Sequence, residues 1–214
     1  MSLKIKKKSG SSVPPMDAGT YAAVCVGIVD LGEQYSETFK KYNDKMLIIW
    51  EIPSQTVEID GENKPRWISR DFSASLSEKS NLYQTLVSWR GKAFTESELT
   101  EDENGFMQFS VLDMLGTGCF LQVIVEEKDS GSYNRITSVI SLPAGMTAPT
   151  TETPLIVFDI DAWDDEAFKS LPGWIQDRIK KSTQYQKLHV PTDSVDVDVN
   201  GGQEPTTDKE ENPI

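Results

Sequence analysis

The chain has 214 residues, of which 37% are hydrophobic, and its formal net charge at pH 7 is −13. It contains no run of 18 apolar residues, which excludes a membrane-spanning helix, and the acidic total argues against a uniformly basic nucleic-acid-binding surface. Two cysteines and one histidine are too few for a zinc centre. Cys25 and Cys119 both lie in apolar runs and are predicted to be buried free thiols in a reducing cytosol.

Residues 1–17 form the first distinct segment. Lys4, Lys6, Lys7 and Lys8 are followed by Ser-Gly-Ser-Ser and by two prolines, which predicts a flexible basic arm. Two interpretations stay open for this arm, a solvated terminus and a segment that contacts phosphates. No apolar stretch follows the lysines, so a secretory signal is not predicted.

Five runs of β-branched and aromatic residues follow, and each predicts a strand. They cover residues 21–30, 45–52, 66–74, 119–127 and 133–142. Between the third and fourth runs, Leu82, Leu86 and Trp89 recur with helical spacing, and Gly91 is suited to end the helix. This order predicts a mainly β fold, a five-stranded Greek-key barrel of the OB class over residues 18–143. Eight side chains are expected mainly inside it: Val24, Val26, Ile28, Leu121, Val123, Val125, Ile136 and Ile140.

The last third of the chain has a different composition. Residues 144–189 are predicted to form a Thr- and Pro-rich linker followed by a short amphipathic helical extension. Residues 146–214 hold 14 acidic and six basic residues, so the acid is concentrated late in the chain. Seven acids and one lysine fall in residues 190–214, and too few apolar residues accompany them to form a core, which predicts a disordered acidic tail.

Cations and aromatic side chains cluster in and around the second and third predicted strands. Arginine or lysine beside an aromatic ring is the combination that stacks bases and neutralises phosphates. The opposite interpretation, in which the aromatics are core residues and the cations only keep the surface soluble, stays open for each residue. The candidate DNA-binding residues are Lys40, Lys41, Tyr42, Trp50, Arg66, Trp67, Arg70, Phe72, Phe120, Tyr133 and Arg135.

The sequence also allows an interpretation in which the protein is an enzyme. Residues 155–161 form an apolar run that ends in Asp159 and Asp161, and such a pair can hold Mg²⁺ for phosphate chemistry. The alternative is that the acids between Asp159 and Asp165 cap a helix. No glycine-rich phosphate loop occurs. We therefore predict no enzyme activity, no catalytic residue, no metal and no cofactor.

Three segments resemble small replication-associated phage and prophage proteins that bind single-stranded DNA: GTYAAV at residue 19, YNDKMLIIWEIP at residue 42, and residues 155–176 from LIVFD to LPGWIQ. The resemblance covers roughly residues 13–185. It implies an OB-type fold, sequence-independent single-strand binding in phage replication or recombination, and a location in the cytoplasm of the bacterial host. It carries no catalytic residue.

The end of the chain is similar to the acidic tails of bacterial and phage single-strand binders, with Pro213 and Ile214 where the bacterial pattern ends in Pro-Phe. The resemblance implies that the tail recruits replication or recombination proteins, or competes with DNA for its site. No membrane partner is predicted, and self-association stays open. The alternative function is a structural or protein-interaction module of a phage that binds no nucleic acid.

Overall fold

The computed structural model describes residues 13–59, 61–129 and 131–189. Most of the predicted basic arm and the whole predicted acidic tail, including Pro213 and Ile214, lie outside the described residues. No helix among the described residues is both long enough and apolar enough to cross a membrane. The strands are β1 (Gly19–Ser36), β2 (Lys41–Ile59), β3 (Glu62–Ser73), β4 (Thr100–Glu101), β5 (Met107–Gln108), β6 (Gly118–Lys128), β7 (Gly131–Ile140) and β8 (Ile156–Phe158), and the α-helices are α1 (Asn81–Arg90), α2 (Asp165–Ser170), α3 (Gly173–Ile179) and α4 (Thr183–His189).

The protein is mainly β, as the sequence predicts. Five antiparallel strands form one strongly curled sheet in the order β3-β2-β1-β6-β7, and β8 pairs in parallel with β1. The predicted barrel is not closed, because β3 and β7 stand at the two ends of the sheet and do not pair with each other. A short hairpin, β4–β5, and two 3₁₀ turns at Glu96–Glu98 and Val111–Met114 fill the long connection between α1 and β6.

A stretch just before β1 lies in the gap between β3 and β7. The Met16 amide donates to Asn134 Oδ1 at 2.8 Å, and Asn134 Nδ2 donates back to the Met16 carbonyl, also at 2.8 Å. The side-chain amide of Asn134 thus offers Met16 the two hydrogen bonds that a neighbouring strand would offer. Arg66 of β3 donates to the Pro14 carbonyl on the other side. Part of the predicted arm is therefore held beside the sheet by side-chain hydrogen bonds from β3 and β7.

The helix predicted between the third and fourth strands is α1. Its first turn is capped by the Ser80 hydroxyl, which accepts a hydrogen bond from the Tyr83 amide at 3.0 Å. It ends at Gly91, whose φ of 69° is a left-handed conformation that glycine adopts without strain. The helix places its residues Leu82 and Leu86 in the core on the concave side of the sheet, where they cover one end of it.

The first core lies on the concave side of the sheet. Of the eight residues predicted to lie mainly inside, six are buried, but Val125 and Ile140 are 39% and 43% exposed. A register shift between Gln122 and Val123 explains Ile140, because Ile136 and Val139 then face the same side of β7. Strict alternation along β7 therefore predicts the wrong residue.

A second core lies on the convex side of β1 and β2. Val26, Val29, Leu47 and Ile49 are fully buried there beneath residues of the C-terminal segment. That segment contributes Phe158, Ile160, Phe168, Leu171, Ile175 and Ile179, all at most 8% exposed. Each large apolar side chain buried in this way contributes roughly 1.5–3 kcal/mol. Val26 was predicted inside the barrel, and it belongs to this outer core instead.

Polar contacts attach the C-terminal segment to the sheet as well. Glu51 is fully buried on β2, and its carboxylate accepts hydrogen bonds from the amides of Glu152 and Thr153 at 3.0 and 3.2 Å. Arg178 on α3 pairs with Asp71 of β3, with one N–O distance of 2.7 Å. Buried polar groups need hydrogen-bond partners, and here the Glu51 carboxylate and the two backbone amides satisfy one another. Residues 144–189 are therefore part of the folded unit.

The two cysteines support a first prediction. Both are fully buried free thiols, and burial raises the pKa of Cys25 to about 12 and raises that of Cys119 as well. Because only the thiolate reacts, the native protein is expected to resist a thiol reagent at pH 8, whereas the urea-unfolded protein reacts at both sites. A time course of labelling followed by mass spectrometry measures this, and fast labelling of the native protein would contradict it.

Candidate functional site

The turn that joins β1 to β2 presents three aromatic side chains to solvent. Tyr35, Phe39 and Tyr42 are 45%, 72% and 54% exposed. Tyr35 and Tyr42 are paired across the ladder, and their ring centroids are 5.1 Å apart at an interplanar angle of 58°. Lys40 between them has a φ of 50°, the left-handed conformation that a tight turn requires. Large exposed aromatics in one turn are uncommon unless they bind something.

Two exposed lysines, Lys40 and Lys41, lie among these rings. Lys40 forms an exposed ion pair with Glu37 at 2.8 Å, an interaction weak enough for a phosphate to replace. We call Tyr35, Phe39, Lys40, Lys41 and Tyr42 the aromatic tip. Three of its five members were among the predicted residues, whereas Tyr35 and Phe39 were missed. The signal that could have found them is three aromatics within eight residues of a polar turn.

A second surface is a groove of about 1270 Å³ that includes the predicted residues Arg66, Trp67 and Tyr133 in its lining. Trp67 donates through Nε1 to Thr153 Oγ1 at 3.0 Å, which holds its indole against the C-terminal segment. Trp174 of α3 also lines the groove and is 47% exposed. We call this surface the β3-edge groove, since six consecutive residues of β3 from Lys64 onward line it.

The tip and the groove are separate surfaces. Lys41 begins β2, whereas Trp67 pairs with Glu51 ten residues further along that strand. At about 3.3 Å per residue, the two places are roughly 30 Å apart. The predicted DNA-binding residues therefore do not form one patch.

Arg70 and Arg135 lie near the gap between β3 and β7. Arg70 stacks its guanidinium over the Phe72 ring at 5.0 Å from the centroid. Burial, and to a smaller extent the charge of Arg135, lower the pKa of Arg70. Arg135 forms an ion pair with Glu126, and the Tyr133 hydroxyl donates to the same carboxylate. The hydrogen bond from Tyr133, followed by contacts with Arg135, lowers the pKa of Glu126.

Two of the candidate residues belong to the core. Trp50 is fully buried and Phe72 is 2% exposed, both in the concave core, so neither ring can stack with a base. Phe120 is half-buried on β6, between the core residues Cys119 and Leu121 and on the opposite face from them. Trp50 and Phe72 are therefore packing residues of the core and are not part of the candidate surface.

An acidic cluster lies at the base of the β1–β2 hairpin. Ligand oxygens of Asp30, Asp159 and Asp161 all lie within 4.8 Å of one another, a donor set that suits a hard divalent cation. Burial raises the pKa of Asp30, as do the charges of Asp159, Asp161 and Asp44, and the amide of Gly32 opposes this. The structure thus brings the two predicted acids together with Asp30.

The helix after these acids is capped by a different aspartate. The Asp164 side chain accepts a hydrogen bond from the Ala167 amide at 2.6 Å at the start of α2. Asp159 instead accepts from the Asp161 amide at 2.9 Å. The predicted capping role therefore falls to Asp164, and Asp159 and Asp161 face the cluster.

The cluster supports a prediction about pH. The pKa of Asp30 is raised in the folded state, which means that folding disfavours its ionised form. At pH values above the folded pKa the ionised carboxylate therefore lowers the free energy of unfolding. Asp30→Asn is expected to stabilise the protein at pH 7, by no more than about 1 kcal/mol because a partly exposed carboxyl is screened by solvent. The gain is lost as the pH falls through the raised pKa, since the wild-type carboxyl then becomes neutral as well.

Urea unfolding of wild type and Asp30→Asn at pH 7 and at acidic pH measures this effect. Asp129→Asn is a matched control, because that aspartate is exposed in the β6–β7 turn. An equal change in the control, or a gain that persists at acidic pH, would contradict the assignment.

Comparison with protein-family models and with curated protein sequences finds no match. The resemblance to phage single-strand-binding proteins therefore stays a prediction that rests on three short segments.

Proposed function

We propose that the protein binds single-stranded DNA without sequence preference, carries out no reaction on it, and makes its main contacts through the aromatic tip. The observation that carries this proposal is the exposure of Tyr35, Phe39 and Tyr42 beside Lys40 and Lys41 on one turn. Every base has a flat face that stacks on an aromatic ring, so such contacts tolerate any sequence.

Single strands are favoured over duplexes by the same chemistry. Bases in a duplex are already stacked and paired, and reaching them costs a few kcal/mol. In a single strand the faces are accessible, and each base–aromatic contact contributes about 1–3 kcal/mol. Lys40 and Lys41 stand where they can neutralise the phosphates that flank a stacked base.

The shape of the sheet supports the proposal in a second way. A strand order of β3-β2-β1-β6-β7 with α1 between β3 and β6 fits a partly open barrel of the OB class, which we propose as the fold. Oligonucleotides bind such barrels on the face of the second and third strands and on the loop between the first two. Here residues 153–179 lie over that face, through Trp67–Thr153 and Asp71–Arg178. Within the part of the chain that the structure describes, the rings of the aromatic tip stay exposed to solvent.

A titration of the full chain with fluorescently labelled oligo-dT, followed by anisotropy, tests this function. Binding is expected at low salt and is expected to weaken as salt rises, with a log–log slope of roughly −1.4 if two lysines each neutralise one phosphate. A duplex of equal length is the control and should bind more weakly. Absence of binding to single strands at low salt would overturn the proposal.

A protein-interaction module is the second candidate, because the β3-edge groove offers apolar surface. Leu155, Val157 and Trp174 line it and are 53%, 44% and 47% exposed. Contiguous exposed apolar surface of this kind marks sites that bind proteins or ligands. Failure of oligo-dT binding at low salt would favour this function.

A further inference from the structure

The strands β3 and β7 lie side by side across the opening of the curled sheet, and we call this opening the seam. Cα atoms of the two strands approach within 8 Å, yet the strands do not pair. Residues 14–16 occupy one part of the seam, through their hydrogen bonds with Arg66 and Asn134. Arg70 lies four residues beyond Arg66 on β3, and Arg135 follows Asn134 on β7. Two arginines therefore stand beyond the part of the seam that the chain itself fills.

Arg70 differs from the other arginines in its contacts. The chain has five arginines. Arg66 donates to a backbone carbonyl, and three others form ion pairs with acidic side chains. Within residues 13–59, 61–129 and 131–189, the Arg70 guanidinium has no hydrogen-bond acceptor, and its contact is with the Phe72 ring, 5.0 Å from the centroid. Arg70 is thus the one arginine of the described chain without a counter-charge or a carbonyl.

An arginine without an acceptor is unfavourable in this environment. Arg70 is only partly exposed. Burial lowers its pKa, and the charge of Arg135 lowers it further. Charged groups that lose contact with water are normally paired. The acid that follows in the strand, Asp71, binds Arg178 instead. The fold therefore places a cation here and directs the neighbouring acid elsewhere.

Arg135 has unused donors as well. Its Nε atom donates to Glu126, whereas its two terminal nitrogens have no acceptor in the described part of the chain. Its side chain is 50% exposed, so a ligand can reach it from solvent. The Phe72 ring that contacts Arg70 is 2% exposed and is fixed in the concave core, which restrains the guanidinium above it. The seam thus offers two guanidinium groups with donors to spare.

The chemistry of these two groups selects the class of ligand. A guanidinium presents a planar fork of N–H donors that matches the oxygens of a carboxylate or a phosphate. A carboxylate has two oxygens, which one fork can satisfy completely. A phosphate group has more oxygens and carries more negative charge, so it can accept from two forks and neutralise both cations.

We propose that Arg70 and Arg135 together form a phosphate-binding site at the seam. The bound phosphate supplies the acceptor that Arg70 lacks and offsets the repulsion between the two cations. The site is separate from the aromatic tip, because Arg70 pairs with Ile48, seven residues beyond Lys41 along β2, or roughly 23 Å at 3.3 Å per residue. Its ligand is a free phosphate compound or a backbone phosphate of a nucleic-acid strand. The site does not depend on the stacking proposed for the tip.

Nitrogen-15 NMR of the arginine Nε–H groups in the full chain tests the site. Titration with inorganic phosphate at constant ionic strength is expected to shift the Arg70 and Arg135 signals along one saturable curve. The Arg178 signal is the internal control and should not move, because Asp71 already binds that guanidinium. Acetate should bind about tenfold more weakly, since it satisfies only one fork. Equal responses to the two anions, or no saturable response, would overturn the proposal.

Variants at the seam provide a second test. Arg70→Gln is expected to weaken phosphate binding, followed at the Arg135 signal, by about tenfold, because hydrogen bonds between charged groups are lost. Arg70→Lys retains the charge without the fork and should also bind more weakly. Lys79→Gln removes one charge from an exposed lysine outside the seam and should bind as wild type does. A thermal melt in chloride tests the folded state of each variant. Wild-type affinity in Arg70→Gln, or an equal loss in Lys79→Gln, would overturn the proposal.

Oligo-dT added in phosphate-free buffer identifies the source of the phosphate. A shift of the Arg70 and Arg135 signals that inorganic phosphate reverses would show that backbone phosphates use the site. A response to inorganic phosphate alone would show that the ligand is a free phosphate compound. Both results support the site and differ only in its ligand. Inorganic phosphate has no base to stack, so its binding at the seam is measured independently of the aromatic tip, and the two proposals fail independently.

Discussion

Replacing Phe39 by alanine is expected to weaken oligo-dT binding by about fivefold to 150-fold, since one base–aromatic stack contributes roughly 1–3 kcal/mol. Phe39 is the most exposed ring of the aromatic tip, at 72%, and it belongs to neither core. Its removal should therefore leave the melting temperature unchanged. Fluorescence anisotropy at low salt measures the affinity, and a thermal melt of the same sample tests the folded state.

A matched control exists on another hairpin. Phe106 is 69% exposed beside the short strand β5, so Phe106→Ala removes the same chemical group from a comparable environment. It should leave the affinity unchanged, and Phe39→Trp should retain binding because an indole also stacks. If Phe39→Ala binds as tightly as wild type, or if Phe106→Ala loses as much, the aromatic tip is not the binding site.

Ile175→Ala is expected to destabilise the protein by about 2–5 kcal/mol, the usual cost of truncating a buried isoleucine when a cavity remains. Ile175 is fully buried on α3, in the second core. The strands β1 and β2 contribute to both cores, so the C-terminal segment and the sheet should unfold together. Urea denaturation followed by intrinsic tryptophan fluorescence should show one transition at a lower urea concentration.

The adjacent residue offers the control. Trp174 is larger but 47% exposed, so Trp174→Ala should cost less than Ile175→Ala in spite of the larger change in volume. Two separate transitions in the Ile175→Ala variant would show that residues 144–189 fold independently of the sheet. A larger loss for Trp174→Ala would show that the groove wall, rather than the second core, holds the segment.

The candidate site was only partly visible in the sequence. Lys40, Lys41 and Tyr42 were found because cations and aromatics are adjacent in the sequence. The same three residues are also adjacent and exposed on the surface of the folded protein. Trp50 and Phe72 satisfied the same criterion but lie in the core. Composition cannot separate an aromatic that packs from one that binds, because burial depends on which elements cover each face of the sheet.

The local elements could be predicted from the sequence alone. Runs of β-branched and aromatic residues predicted the five long strands, although β1 and β2 extend well beyond the predicted bounds, and the spacing of Leu82, Leu86 and Trp89 predicted α1. These features depend on residues close together in the chain, so local periodicity and turn chemistry suffice. The continuous apolar run around Val26 was also a sign of a strand buried on both faces.

Three features were decided only by the tertiary structure. The register shift beside Val123 reversed the expected side of Ile140, β3 and β7 do not pair and so leave the barrel open, and the C-terminal segment turned the outside of β1 and β2 into a second core. Each depends on contacts between residues far apart in the chain. Alternation shows that a strand has two faces, but only packing determines which elements cover them, and therefore which aromatic rings remain free to bind.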